Sequence, residues 1–139
     1  MSFFNYFKSS KHKKQHIIFN SIGKFTYNKT DETSSFEGII NSTIGKKIVL
    51  TFPTQGNEPS GYQTAYYKDI ENNFDMILQQ LKSKYPKASV SNYKITNILI
   101  PDQKNPYYDF DAEITFQGTN SIVSVILNVL NVEEIIVIQ

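Results

Sequence analysis

The chain contains no cysteine, no tryptophan and no arginine. Without cysteine it has no disulfide, no thiolate nucleophile and no cysteine-based zinc site. Without arginine it lacks the planar guanidinium that binds phosphate and carboxylate groups through two parallel hydrogen bonds. All 14 basic residues are therefore lysines. These absences exclude several classes of catalytic and phosphate-binding site.

Histidine is almost as scarce, because His12 and His16 are the only two and both lie among lysines near the N-terminus. A Ser–His pair or a histidine metal site needs a histidine that meets its partners in the fold. Lys13 and Lys14 between them would repel a cation. No glycine-rich phosphate loop of the form GxxxxGK[ST] is present. We therefore predict a non-enzymatic protein with no catalytic residues, no metal and no cofactor.

Charge is unevenly distributed along the 139 residues. Residues 1–30 carry six lysines and no acid, whereas residues 31–139 carry eight lysines and thirteen acids. This pattern predicts a basic leader over residues 1–16 and one mildly acidic domain over residues 17–139. No segment has the length and hydropathy of a transmembrane helix or a signal peptide, which favours a cytoplasmic location. An acidic body without arginine argues against a nucleic-acid partner.

The spacing of apolar residues predicts one long amphipathic helix over residues 63–85, capped by Ser60 or Thr64 and ended by Pro86. Alternating residues predict three strands before this helix and four after it. The predicted strands are 22–28, 36–43, 47–52, 93–100, 108–117, 121–130 and 133–138. The resulting order, βββ-α-ββββ, indicates an α+β fold in which an antiparallel sheet packs on one long helix.

Three carboxylates lie along the predicted strand 108–117. Asp109, Asp111 and Glu113 are spaced by two residues, which places them on one face of that strand. Such a row is most often the solvent face of a sheet. It also suits a general acid–base pair or a hard-cation site. With Asp102, Tyr107 and Tyr108 nearby, the row is also a candidate surface for a basic protein partner.

A second group of tyrosines surrounds the start of the helix. The segment 54–67 is punctuated by glycine and proline, and it leads into Tyr62, Tyr66 and Tyr67. Tyrosine offers a large contact area at low entropic cost, so it is favoured at interfaces. We predict that Tyr66 belongs to the core and that Tyr62 and Tyr67 belong to the partner-binding surface.

Three segments, residues 21–27 (SIGKFTY), 36–40 (FEGII) and 46–52 (KKIVLTF), carry a resemblance to a known group of proteins. The pattern resembles a family of small bacterial domains of unknown function that often occur in toxin–immunity neighbourhoods. Phe36 stands where that family usually has tryptophan. The resemblance spans roughly residues 20–85 and implies no catalytic residues. It implies an immunity protein that binds and neutralises a toxin, and an acidic body would suit a basic toxin domain.

Two other functions remain open from the residues alone. One is an enzyme that uses carboxylates or a divalent metal at Asp109, Asp111 and Glu113. The other is a membrane-associated accessory protein that uses the phenylalanine- and lysine-rich leader. The sequence does not predict the oligomeric state.

Overall fold

The computed structural model describes residues 17–29, 34–87, 90–103 and 105–139, which form one eight-stranded sheet and two short α-helices. Four strands come first, then the two helices, a single 3-10 turn (Val90–Asn92) and four more strands. The elements are β1 (Ile17–Phe19), β2 (Lys24–Lys29), β3 (Ser34–Ser42), β4 (Gly45–Pro53), α1 (Gly61–Asn72), α2 (Phe74–Lys84), β5 (Lys94–Leu99), β6 (Ala112–Gln117), β7 (Ile122–Asn128) and β8 (Asn131–Ile138).

The predicted single helix over residues 63–85 is wrong, because the chain breaks at Asn73 into α1 and α2. The Asn73 side-chain amide donates to the Asp69 carbonyl oxygen at 2.8 Å, where its own backbone amide also donates. Asparagine competes in this way with helical hydrogen bonds and lowers helix propensity. The helix begins at Gly61 rather than at Gln63, and Ser60, one of the two predicted caps, forms a reciprocal capping box with Gln63.

The predicted antiparallel sheet packed on one long helix is also wrong, because the sheet is mixed. Its strands lie in chain order from β1 to β8, and every neighbouring pair is antiparallel except β4 and β5. The two helices carry the chain from the end of β4 back to the start of β5, which makes that pair parallel. Four strands, rather than three, precede the helices because Ile17–Phe19 pairs with β2.

One face of the sheet packs against the helices and forms the core. A row of facing residues crosses it from Gly38 through Leu50, Ile98 and Ile114 to Val125. The helices contribute Tyr66, Tyr67, Ile70, Ile77 and Leu81 to the same buried cluster. We call the opposite face the open face. It carries Glu37, Ile39, Val49, Asn97 and Glu113, which alternate with the core residues.

Neither described helix is long and apolar enough to cross a membrane. This agrees with the sequence prediction over the described residues. The predicted leader, residues 1–16, lies outside the described residues.

Candidate binding cleft

β4 and β5 end at the same edge of the sheet because they run parallel. Beyond them, the loop that enters α1 meets the long loop that enters β6. Asp102 N–H donates to the Pro53 carbonyl at 2.9 Å, and Ile100 N–H donates to the Thr51 carbonyl at 2.9 Å. In α/β folds, ligands often bind in the crevice outside the carboxyl ends of parallel strands.

The buried side chain of Gln63 connects the start of α1 to the ends of β4 and β5 by hydrogen bonds. Its side chain is fully buried, and its amide nitrogen donates to the carbonyls of Pro53 (2.7 Å) and Ile100 (2.9 Å). Its amide oxygen accepts from the backbone N–H of Ser60 at 2.9 Å. One side chain therefore ties the start of α1 to the ends of both parallel strands.

A cleft of about 210 Å³ opens at this edge. It is lined by Tyr62, Pro101, Asp102, Gln103, Asn105, Tyr108, Asp109, Phe110 and Asp111. We call it the acidic cleft, because its charged lining residues are all carboxylates among the residues that the structure describes.

The three carboxylates of the acidic cleft differ in how far they are engaged. Asp102 accepts from the Ser60 hydroxyl (2.7 Å), the Thr54 hydroxyl (3.3 Å) and the Gln103 N–H (2.8 Å). Asp111 accepts from the backbone N–H of Val129 at 2.6 Å. Asp109 is exposed, and within the described part of the chain its carboxylate has no hydrogen-bond partner. Asp109 is therefore the carboxylate best placed to meet a ligand.

Two tyrosines stand in the wall of the acidic cleft. Burial raises the pKa of Tyr62, and the nearby carboxylates of Asp111 and Asp102 raise it further. Burial also raises the pKa of Tyr108, with a smaller contribution from Glu113. The Tyr108 ring meets Phe110 edge-on at 5.6 Å between centroids. Both phenols therefore stay neutral at physiological pH and offer hydroxyl groups and ring faces beside the carboxylates.

The hairpin between β7 and β8 borders the cleft through Asp111. Val129 and Leu130 form its tip with φ of 48° and 63°, a left-handed conformation that glycine or asparagine usually occupies. The Asp111 carboxylate holds the Val129 N–H, and the Tyr66 hydroxyl accepts the Leu130 N–H at 3.2 Å. Val129 is 77% exposed. A strained turn thus presents an aliphatic side chain next to the acidic cleft.

Replacing Val129 by asparagine should raise the free energy of unfolding by about 1 kcal/mol, since it relieves a β-branched residue at positive φ. Urea unfolding of the purified variant would measure this. Thr43→Asn is the matched control, because Thr43 is an exposed β-branched residue in the β3–β4 turn without positive φ. Equal stabilisation by both substitutions would contradict the strain at Val129.

The predicted row of carboxylates does not form. β6 begins only at Ala112, so Asp109 and Asp111 lie in the loop before it and line the acidic cleft. Glu113 lies on the open face, where it accepts a hydrogen bond from the Ser124 hydroxyl. The Asp111 N–H is held by the Leu127 carbonyl and the Asn128 side chain. Alternation along one continuous strand was the wrong basis for grouping these residues.

The tyrosines predicted to form one partner-binding surface lie in different environments. Tyr62 and Tyr108 line the cleft, and Tyr107 is 56% exposed on the same loop without lining it. Tyr66 is buried, as predicted. Tyr67 is only 3% exposed, and its hydroxyl donates to Glu71 at 2.9 Å. The placement of Tyr67 on a partner-binding surface is therefore corrected, because it packs in the core.

The sequence gives no indication that Gln63 belongs to the site, and it indicates Asp102 only as a neighbour of the predicted row of carboxylates. A capping-box signal was present in the spacing of Ser60 and Gln63, and it predicts the bond to the Ser60 N–H. The bonds from Gln63 to two strand ends require the parallel pairing, which the sequence analysis did not predict. Val129 and Leu130 carry no sequence signal for a turn, because both residue types disfavour positive φ.

No group of three or more carboxylates or histidines in residues 17–29, 34–87, 90–103 and 105–139 is arranged to hold a metal ion. The open alternative of a metal site at Asp109, Asp111 and Glu113 therefore has no geometric support. Glu113 bonds Ser124 and Asp111 bonds the hairpin tip, so their carboxylates do not converge.

Comparisons with known proteins identify no relatives. No model of a protein family matches the chain, and neither the curated proteins nor the solved structures include a significant match. The resemblance to toxin–immunity domains therefore stays a prediction.

Proposed function

We propose that this protein is a non-enzymatic binding protein that recognises a basic segment of a protein partner at the acidic cleft. The observation that carries this proposal is the exposed, unengaged carboxylate of Asp109 in a cleft walled by Tyr62 and Tyr108. The immunity role implied by the resemblance is the form we favour, with a basic toxin domain as the partner. We place this activity in the cytoplasm, as the sequence favours.

The size of the cleft suits one long side chain better than a whole metabolite. Its volume of about 210 Å³ falls below the range of roughly 300–1,000 Å³ that is typical of small-molecule sites. A lysine or arginine side chain would bring its charge to Asp109 and its methylene groups to the tyrosine rings. Cations placed over such rings gain roughly 0.5–2 kcal/mol from the π electrons.

The hairpin tip supplies the apolar part of the same surface. Val129 is joined to the cleft by the hydrogen bond from its N–H to Asp111. A partner segment with an apolar residue next to a basic one would therefore cover both features. Buried apolar contacts at the centre of an interface contribute affinity, while charges around them contribute specificity and association rate.

The test uses an acetylated octapeptide in which lysine and valine alternate, titrated by calorimetry into the wild-type protein and two variants. Asp109→Lys should weaken binding by about five-fold, because it replaces an attractive charge by a repulsive one. Because the Asp109 carboxylate bonds no described residue, thermal stability should stay unchanged. Higher salt should weaken wild-type binding.

Glu134→Lys is the matched control, since Glu134 is an exposed acid on β8 outside the cleft. It makes the same change in net charge and should leave affinity within about two-fold of wild type, as expected for a solvent-screened charge outside the cleft. Equal loss of affinity in both variants would show a generic charge effect and contradict the proposed site. No binding by the wild type would count against a basic partner.

A further inference from the structure

A second cleft lies at the opposite ends of β4 and β5, and it has the opposite charge. It measures about 760 Å³ and is lined by Ile44, Gly45, Lys46, Lys47, Val49, Tyr93, Lys94, Ile95, Thr96 and Asn97. No carboxylate is among the described residues that line it. We call it the basic cleft. Asn97 lines the basic cleft and Pro101 lines the acidic cleft, so four residues of extended chain, roughly 13 Å at about 3.3 Å per residue, separate the two linings.

The basic cleft forms because the parallel pairing of β4 and β5 begins several residues after the two strands begin. β4 begins at Gly45 and β5 at Lys94, but their first paired residues are Val49 and Asn97. The strand ends before that pair are joined to β3 and β6 rather than to each other. A notch therefore separates them, with apolar side chains inside and lysines at the rim.

One of these lysines is held in a costly conformation. Lys47 has φ of 54°, and its backbone N–H donates to the Asn41 side-chain oxygen at 3.1 Å. Left-handed backbone at a residue other than glycine is unfavourable, and such strain is concentrated at functional sites. Lys46, Lys47 and Lys94 are all exposed, so their ammonium groups are accessible to a ligand.

We propose that the basic cleft binds an extended acidic peptide of a protein partner, in which acidic and apolar residues alternate. Charge complementarity selects the acidic side chains, which would meet the three lysines at the rim. The apolar side chains, pointing the other way along an extended strand, would meet the half-buried Ile44 and Val49. The volume of about 760 Å³ accommodates several side chains rather than one.

The same residues disfavour a nucleic acid as the occupant. Tyr93 is the one aromatic among the described lining residues, and its hydroxyl lies 2.6 Å from that of Ser121. Its ring packs so closely over Gly118 that a Cβ there would lie 2.6 Å away. It is therefore not a free platform for base stacking, on which single-stranded binding relies.

The test measures fluorescence anisotropy of a labelled octapeptide in which glutamate and valine alternate. The wild type should bind it, and Lys46→Glu with Lys94→Glu should weaken binding by about ten-fold, because two attractive charges become repulsive. Lys68→Glu with Lys82→Glu is the matched control on the helices, where both lysines are exposed. That variant should stay within about two-fold of wild type.

If the charge-reversed variant fails to fold, a charge-neutralised double variant, Lys46→Gln with Lys94→Gln, replaces it. This variant should weaken binding by about three-fold. The proposal would be overturned by no binding to the wild type, by equal losses in the cleft and control variants, or by tighter binding of a single-stranded DNA of equal charge. Concentration-dependent self-association that the cleft substitutions abolish would also overturn it, since the occupant would then be a second copy.

Discussion

Replacing Gln63 by leucine should lower the free energy of unfolding by about 3 kcal/mol, although leucine fills a similar volume. The substitution leaves the Ser60 N–H and the Ile100 carbonyl without their partner beside a fully buried side chain, while the Pro53 carbonyl keeps only its bond from the Asp102 N–H. Each buried, unsatisfied polar group costs about 1–3 kcal/mol. Urea unfolding followed by circular dichroism would measure the loss.

Gln80→Leu is the matched control, because Gln80 has the same two types of bond in a half-buried position. Its amide oxygen accepts from the Val132 N–H at 2.9 Å, and its nitrogen donates to the Leu130 carbonyl at 3.3 Å. Gln80 and Leu130 are only half-buried, so solvent offsets part of the loss and we expect a cost of about 1 kcal/mol. Equal costs for the two substitutions would contradict the view that Gln63 ties α1 to both strand ends.

Replacing Gly38 by alanine should cost about 3 kcal/mol, at the upper end of overpacking effects. A Cβ at this position in β3 would lie 2.5 Å from the Lys24 carbonyl oxygen and 3.0 Å from the Phe25 ring. The first contact is with backbone, which cannot move away without distorting the β2–β3 pairing. Thermal unfolding of the variant would measure the effect.

Gly61→Ala is the matched control, because it adds the same methyl group at a glycine that has open space around it. A Cβ at Gly61 would meet nothing within 4 Å, and this residue begins α1. Alanine is favoured over glycine in helices by up to about 1 kcal/mol, so this variant should be as stable as wild type or slightly more stable. A Gly38 variant as stable as the Gly61 variant would contradict the close approach of β2 to β3.

Local alternation of apolar residues in the sequence was sufficient to predict which face of β3 and β4 is buried. Phe36 and Ile40 on β3, and Ile48, Leu50 and Phe52 on β4, are buried as their spacing predicts. The register between these two strands follows from the same pattern, since Phe36 pairs with Phe52 and Ile40 with Ile48. A one-residue slip would expose this whole set, so burial fixes the pairing.

The helical region shows why a hydrophobic stripe alone misleads. Ile70, Ile77 and Leu81 are fully buried, and their spacing reads as one continuous helix across Asn73. The break depends on a side-chain hydrogen bond of Asn73 that competes with the backbone. Apolar periodicity does not include that competition, whereas the low helix propensity of the Asn72–Asn73 pair does signal it.

The candidate site was only partly predictable, because it is built by long-range pairing. Asp109 and Tyr62 were recognised by residue type, but the parallel pairing of β4 and β5 brings their loops together. Glu113 was grouped with Asp109 because a strand was predicted to begin before Ala112. The contact between Asp111 and the Val129 tip joins residues 18 positions apart, and no local pattern in the sequence indicates it.

The most direct test of the central claim maps the basic octapeptide onto the isotope-labelled protein by nuclear magnetic resonance. Amide signals of Tyr62, Gln103, Asp109 and Val129 should shift on titration, because these residues line or border the acidic cleft. Signals of Val49 in the basic cleft should stay in place. Shifts confined to other parts of the chain, or none at saturating peptide, would contradict binding of a basic partner at the acidic cleft.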